Sequence, residues 1–401
     1  MGGNVRRMSM SGKTWDAVVV GGGPAGLAAA IAMQQRGLSC MVADAMAPPI
    51  DKACGEGLMP DALDSLGRLG VQMDASEGGI FRGIRFQNQD HCIQAEFPRG
   101  RALGVRRKHL HARMVERAEE SGVALRWGTR AEMRPGQPLR LNGSEVKACW
   151  IIGADGQTSR FRAWAGLDAV RSESRRYGFR RHYRVAPWSE MVEVHWGDRG
   201  QIYVTPVAAD EVCVAWVTRD PRRRLDDALR GFPFLQSKLR GAEATSRERG
   251  CITTTRTLKR LYRGQHVLLG DASGSADAIT GEGLAISFRQ SLALADAIAQ
   301  NDLAEYAQAH RSIARLPQMM ARTLLLMDRF TWLQERAISV FAAEPQEFAQ
   351  MLAMHVGEVS LGSFALRNAT RIALKLLAGG AKNDPDQLLG DESPATESVP
   401  A

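Results

Sequence analysis

The stretch Asp16 to Asp44 restricts this chain more than any other. Asp16-Ala17-Val18-Val19-Val20 is a short apolar, β-branched run, and Gly21-Gly22-Gly23-Pro24-Ala25-Gly26 follows at once. An Ala-rich helical stretch, Leu27 to Arg36, leads to a second apolar run, Ser39 to Ala43, which ends at Asp44. The order is strand, glycine turn, helix, strand, acid. The turn fits GxGxxG at Gly21, Gly23 and Gly26, with Asp44 lying 23 residues beyond Gly21. Gly21 makes the tight turn, Gly23 lets the backbone approach a pyrophosphate, and Gly26 lets helix and strand pack closely. Pro24 and Ala25 lie in the turn, at a helix N-terminus whose free N–H groups and positive dipole end suit phosphates. Asp44 can accept hydrogen bonds from a ribose. An ordinary glycine-rich turn would not need the flanking strands, the helix and the acid to agree, so the segment predicts a dinucleotide site.

Composition narrows the rest. A chain of 401 residues exceeds one typical core and implies two or three subdomains. Net charge is +8, from 52 basic and 44 acidic residues spread along the chain. That mild excess suits an anionic cofactor, and without an aromatic-interleaved basic stripe it is no nucleic-acid footprint. Six cysteines, at 40, 54, 92, 149, 213 and 251, form no CxxC pair, so neither a zinc site nor a disulfide framework is expected. The expectation is reduced thiols in a cytoplasmic protein without a metal. No uninterrupted apolar run reaches about 18 residues, which argues against a membrane-spanning helix. Met1 to Lys13 is polar and basic without an apolar core, so it reads as a loose tail rather than a secretory signal.

Along the chain, helical spacing over Asp61 to Leu66 stops at Gly70, and residues 80 to 98 alternate as two strands. Arg107 to Ser121 reads as a helix, with Leu110, Met114, Val115 and Ala118 on one face and Gly122 closing it. Val123 to Trp127 and Val146 to Ile152 read as strands. The character changes after 175: Gly178 to Val185, Met191 to Trp196, Gln201 to Val207 and Glu211 to Val217 are strand-like, an antiparallel sheet inserted into the first domain. Arg222 to Leu239 looks helical with a break at Pro233. His266 to Asp271 is a buried strand returning to the first domain, and Glu282 to Gln300 is a helix. From Leu303 to about Gly379 the chain is mostly helical, and its last twenty residues are acidic with three prolines. The expected organisation is a tail at 1–13, a discontinuous cofactor domain at 14–175 and 262–302, an inserted sheet at 176–261, a helical region at 303–380 and a disordered tail at 381–401.

Three further segments join the first. Arg107-Lys108-His109-Leu110 opens a helix, Gly153-Ala154-Asp155-Gly156 follows a strand, and Gly270-Asp271-Ala272-Ser273-Gly274 follows another. Thr280-Gly281-Glu282-Gly283 then opens the next helix. Singly each fits a capped turn; their order and spacing are specific. Over about residues 14 to 300 the chain resembles the flavoprotein hydroxylase superfamily, which includes single-component FAD monooxygenases, flavin halogenases and geranylgeranyl reductases. The resemblance implies an α/β fold: a Rossmann-like FAD-binding domain, an inserted antiparallel substrate sheet and a helical C-terminus. It also implies that the first motif holds the ADP half of FAD and that Asp44 binds the adenosine ribose. By the same resemblance Arg107 lies near the diphosphate, Asp155-Gly156 closes around the cofactor, and Gly270-Asp271 meets the ribityl chain. The helix N-terminus at Gly281-Glu282-Gly283 would point at the flavin edge that becomes anionic on reduction, a role a helix N-terminus suits physically. With a single GxGxxG of this quality, no second Rossmann domain is expected, and NAD(P)H would visit as a transient electron donor.

The departures carry information too. Aromatic hydroxylases place an arginine before a GxGL segment near the flavin; here Lys52-Ala53-Cys54-Gly55-Glu56-Gly57-Leu58 has Cys54 in that place. Cys-Gly-x-Gly and Thr-Gly-Glu-Gly both look like the geranylgeranyl reductase branch. Gly200 to Pro206 lacks the two tryptophans of halogenases. Cys54 reads either as a gate, proton donor or redox partner beside Gly55 and the flavin, or as a small residue filling a tight loop. Tyr203 reads as a hydrogen-bond donor to substrate or as a half-buried strand tyrosine. His182, His195 and Trp216 share the inserted sheet without a spacing that signals a metal or a triad. Met319, Met320, Leu324, Leu325, Leu326, Met327, Phe330 and Trp332 suit helix packing or an adaptable wall around a greasy substrate. Arg367, Arg371 and Lys375 recur every four residues within 364–377, which reads as a solvated helix face or a contact with a membrane surface. The function expected is FAD-dependent oxidation–reduction of a small lipophilic or polyketide-like molecule. Two chemistries compete: NAD(P)H-dependent monooxygenation is the first expectation, on fold membership, and reduction of isoprenoid double bonds, which the local motifs favour, is the alternative. A flavin-binding partner subunit without turnover is a third reading.

Overall fold

The computed structural model describes residues 14–364, except 89, 90, 135, 198 and 199. The tails at 1–13 and 381–401, and the basic stretch beyond Phe364, lie outside the described residues. The first half runs β1 (Thr14–Val20), α1 (Pro24–Gln34), β2 (Cys40–Ala43), β3 (Gly57–Leu58), α2 (Pro60–Arg68), β4 (Gly79–Phe81), β5 (Gly83–Gln87), β6 (Cys92–Glu96), β7 (Ala102–Gly104), α3 (Arg107–Glu120) and β8 (Ala124–Arg126). A small ribbon follows, β9 (Ala131–Glu132), β10 (Arg140–Leu141) and β11 (Ser144–Glu145), then β12 (Lys147–Gly153) and α4 (Arg160–Trp164). Next come β13 (Val170–Arg184), β14 (Met191–Gly197), β15 (Gly200–Ala208), β16 (Glu211–Thr218), α5 (Leu225–Leu229), α6 (Pro233–Lys238), β17 (Glu243–Ala244) and β18 (Arg249–Leu258). The chain finishes with β19 (Tyr262–Arg263), β20 (His266–Leu268), α7 (Gly283–Ala299), α8 (Leu303–Arg329), α9 (Thr331–Ala343), α10 (Pro345–His355) and α11 (Leu361–Phe364).

The first sheet has the order β19-β20-β12-β1-β2-β8 and is parallel except at its β19 edge. Its central strands are apolar on both faces because helices cover one side and the β9–β11 ribbon with α4 covers the other. The chain leaves β1 toward β2 on one side, whereas β12 lies on the other. The two strands' C-terminal ends therefore open a crevice at a topological switch point. α1 can run straight from that crevice because Gly23 is extended as its N-cap and Pro24 occupies the first turn, where a missing N–H costs nothing.

The second sheet is wider than the span 176–261 suggests. Its path is β17-β13-β16-β15-β14-β5-β6, with β18 paired to β13. β13 already starts at Val170, and β5 and β6 come from the first part of the chain through a parallel β5–β14 pairing. A third, small sheet, β3-β7-β4, packs against β15 of the second. Residues 80 to 98 thus hold β4 as well as the two expected strands, and Pro233 begins α6 after α5 as the break implied. Helices α8 to α10 close over β4 to β6, and their apolar faces share one core with Met59, Phe81, Ile93 and Trp196.

Candidate functional site

A continuous cavity of about 720 Å³ runs from the switch-point crevice, between the two large sheets, to the face covered by α8 and α10. At the crevice end the glycine turn shows why side chains are excluded. A Cβ on Gly21, whose φ is +114°, would lie 2.4 Å from the Ala154 carbonyl oxygen, and one on Gly26 would lie 1.9 Å from that of Gly21. A Cβ on Gly23 meets no protein atom within 4 Å, and Gly23 lines the cavity. Its missing side chain therefore leaves open the groove itself. His111 Nε2 donates to the Gly22 carbonyl at 2.8 Å, and Trp127 packs where a Gly22 side chain would go. Pro24, Ala25 and Asp44 also line the groove. Asp44 Oδ2 accepts from Gly22 N–H at 2.7 Å and Oδ1 from Met46 N–H at 2.8 Å, which fixes the carboxylate at the rim.

Arg107, Asp155, Gly156 and Asp271 reach the same cavity from three separate strand ends. Asp155 Oδ2 accepts from the N–H groups of Arg160 and Phe161, and its Oδ1 is buried without a partner. Arg107 Nε is likewise buried and unpartnered. Asp271 is held by Lys52, Nζ to Oδ2 2.9 Å, and the pairing raises the Lys52 ammonium above its ordinary value. Gly270 does not line the cavity: with φ +59°, it sits where a Cβ would meet the Ala25 Cβ at 2.7 Å, so it sets the turn that delivers Asp271.

The loop carrying Cys54 and Gly55 is clamped from behind. Glu56 adopts φ +61°, uncommon for a side chain of its size. Its carboxylate is buried, accepts from Arg107 N–H at 3.0 Å, and meets His182 Nε2 at 2.6 Å. Arg180 stands 3.5 Å from Glu56 and bonds Asp51 at 2.6 Å. One donor atom each from Glu56, His182 and Cys213 lies within 4.8 Å of the others, the geometry of a metal cluster. The adjoining Arg180 guanidinium opposes a cation there, and the hydrogen bonds already use the ligand atoms. We read the cluster as a buttress. It leaves Cys54 half-buried on the cavity wall, with its Sγ accepting from Glu56 N–H at 3.4 Å.

Gly281, at φ +71°, and Gly283 line the cavity at the start of α7, but the Glu282 side chain turns away from it. Its carboxyl is almost wholly buried, 3.6 Å from His355 Nδ1, and burial with Asp61 nearby pushes it up to about 8. Among the expected cofactor residues, Glu282 therefore presents no side chain to the cavity. Tyr203 does line the cavity, but its hydroxyl donates to the Ile279 carbonyl at 3.0 Å and burial keeps it protonated. That bond is intramolecular, which answers to the strand-tyrosine reading rather than to a free donor.

The far half of the cavity is apolar. Ile84 and Phe86 of β5 lie beside Val192 and Val194 of β14 on one sheet face, Phe81 adjoins them in the lining, and Met320, Leu324, Phe348, Met351 and Leu352 close the cavity from α8 and α10. Of the Met- and Leu-rich stretch, Met320 and Leu324 form wall, Met327 packs in the core, and Leu326, Phe330 and Trp332 are exposed. Lys52, Glu56, His182 and His355 escaped the sequence reading as site residues. Lys52 and the Glu56–His182 pair are held by contacts that span 219 and 126 positions, and His355 meets Glu282 from a different helix, so no local pattern could reveal them.

The crevice end fits FAD. It offers a side-chain-free cradle at Gly23, an open helix N-terminus, the cations Lys52 and Arg107, and two buried unpartnered atoms, Arg107 Nε and Asp155 Oδ1. A family model described as an FAD binding domain matches residues 14–229, more than half of the chain. A menaquinone reductase of Mycobacterium tuberculosis (strain ATCC 25618 / H37Rv) is 27% identical over 317 residues, 72% of this chain and 78% of that one. A protein of Rhodococcus erythropolis, designated a candidate 2-heptyl-3-hydroxy-4(1H)-quinolone synthase, is 28% identical over 352 residues, 80% of this chain and 91% of its own. Among solved structures, a flavoprotein/dehydrogenase from Cytophaga hutchinsonii superposes with a TM-score of 0.76 at 16% identity, covering 91% of this chain and all of that one.

Proposed function

The chain belongs to the FAD-binding-domain family within the flavoprotein hydroxylase superfamily, and from that premise we propose that it reduces an unsaturated, quinone- or quinolone-like molecule carrying an apolar chain. It is an FAD-dependent oxidoreductase. The observation that carries the substrate class is the continuous cavity, whose crevice end fits the cofactor and whose far end is walled by Phe81, Phe86, Met320 and Phe348. The two relatives that match most of this chain bear names that pair a bicyclic ring with a lipophilic frame, which supports the same class.

When bound, FAD supplies the electron-transfer chemistry; the chain supplies the rest. Gly21 to Gly26, Arg107 and Lys52 hold the anionic half, and Asp44 and Asp271 offer carboxylates to hydroxyl groups. The apolar wall excludes water and orients the chain of the substrate. Cys54 presents its Sγ to the cavity, on a loop that Glu56 and His182 hold still. NAD(P)H acts as the transient electron donor in this reading.

Monooxygenation is the second reading, favoured by membership of the hydroxylase superfamily. Cys54 in the arginine's place, and the menaquinone reductase that covers 72% of the chain, tip the balance toward reduction. The chamber is tested with a ladder of substrates that share one ring and lengthen the chain. Affinity should rise by about 0.8 kcal/mol per buried methylene until the wall is filled. Flat affinity from the shortest to the longest member would overturn the lipophilic reading.

A further inference from the structure

Three of the seven exposed large apolar side chains among the described residues lie within seven positions of one another. Leu326 is 51% exposed, Phe330 40% and Trp332 64%. Phe330 is at once the C-cap of α8 and the N-cap of α9, so the three crowd one helix corner. Arg315, Arg322 and Arg329 are exposed and recur every seven residues on α8, which keeps them on one face. Leu326 falls between the last two, and the Arg329 guanidinium stands 5.5 Å over the Phe330 ring. Arg219, 54% exposed, pairs with Asp328 at 3.2 Å beside the corner. The exposed acid on the adjoining turn of α9 is Glu335. The corner is thus an apolar tip skirted by arginine. The inner face of the same helix carries Met320 and Leu324, which wall the apolar chamber.

We propose that this corner docks on the surface of an anionic lipid bilayer, with Leu326, Phe330 and Trp332 entering the headgroup–acyl boundary and the three arginines meeting the headgroups. Aromatic and aliphatic side chains beside a basic stripe make the chemistry of an interfacial anchor. No helix among the described residues is long and apolar enough to cross a membrane, so the contact is with the surface. A second copy is a poorer occupant, because a two-fold contact through this face would set arginine against arginine. The proposal takes from the proposed function only its lipophilic substrate: a helix that touches the bilayer on one face and the chamber on the other would draw such a molecule from the lipid phase.

The test is flotation of the full, FAD-loaded chain with phosphatidylglycerol-containing vesicles and with pure phosphatidylcholine vesicles. Cofactor absorbance checks the fold and needs no turnover, so the result is independent of which reaction the protein performs. The wild type should float with the anionic vesicles and release in high salt. The variant Leu326→Ser, Phe330→Ser, Trp332→Ser should bind at least tenfold more weakly while keeping its flavin, and Arg322→Glu with Arg329→Glu should lose the preference for anionic lipid. Wild-type flotation by the triple serine variant would overturn the proposal, as would a wild type that ignores both vesicles. Self-association lost in the serine variant, without vesicle binding, would name a second copy as occupant instead. Flotation only after deletion of residues 365–401 would assign the corner to the chain's own C-terminal segment.

Discussion

At the residue scale, the groove is defined by what is missing from it. A Gly23 side chain would strike no protein atom and would point into the space that fits the cofactor. Gly23→Val should therefore fold normally and retain at least tenfold less FAD, a cost of about 1.4 kcal/mol or more, read from the flavin absorbance of the purified protein. Wild-type content would place the phosphates elsewhere. Glu282 illustrates the opposite case, a side chain present but withdrawn. Its folded carboxyl titrates at about 8 against an ordinary 4.5, because it is buried and near Asp61. A raised folded value means that its contribution to stability is complete below the unfolded value and is lost as pH rises through the folded one. Glu282→Gln should remove that dependence, so the variant gains on the wild type by a few kcal/mol, roughly, between about pH 5 and about pH 9. Urea unfolding at both pH values checks this, and parallel curves would contradict it.

At the element scale, the small β3-β7-β4 sheet ties the Cys54 loop to the substrate sheet. A Cβ on Gly104, in β7, would lie 1.7 Å from the Pro206 carbonyl oxygen of β15. Gly104→Ala must push the two apart and should cost about 1–3 kcal/mol of stability, seen as a lowered midpoint in denaturant. An unshifted midpoint would mean that β7 moves freely and does not fix the loop. Elements whose information is local were legible in the sequence: β1 to β2 by glycine spacing, α3 by its apolar face, and the second half of β13 with β14 to β16 by their strand-like runs. The membership of β5 and β6 in the second sheet was not. It depends on Gly83 pairing with Met191, a contact over more than a hundred residues that strand patterning does not encode. The same distance hid the Glu56–His182 and Lys52–Asp271 pairs. Tyr203 was placed on the right strand, but its hydroxyl partner, the Ile279 carbonyl, belongs to a turn 76 positions away.

At the scale of the whole molecule, two sheets and a helical lid enclose one space with two chemistries along it, polar and cationic at the crevice and apolar beneath α8 and α10. Under the proposed function, this arrangement is where electrons and a lipophilic molecule would meet out of water. The identity of residue 54, between them, is what separates reduction from hydroxylation in this account. The most direct measurement mixes dithionite-reduced, FAD-loaded protein with a long-chain quinone-class substrate in the absence of oxygen, and follows flavin absorbance and product mass together. Reduction predicts that the flavin reoxidises without oxygen and that the product has gained two hydrogens. A flavin that stays reduced until oxygen is admitted, with a product that has gained one oxygen atom, would contradict it.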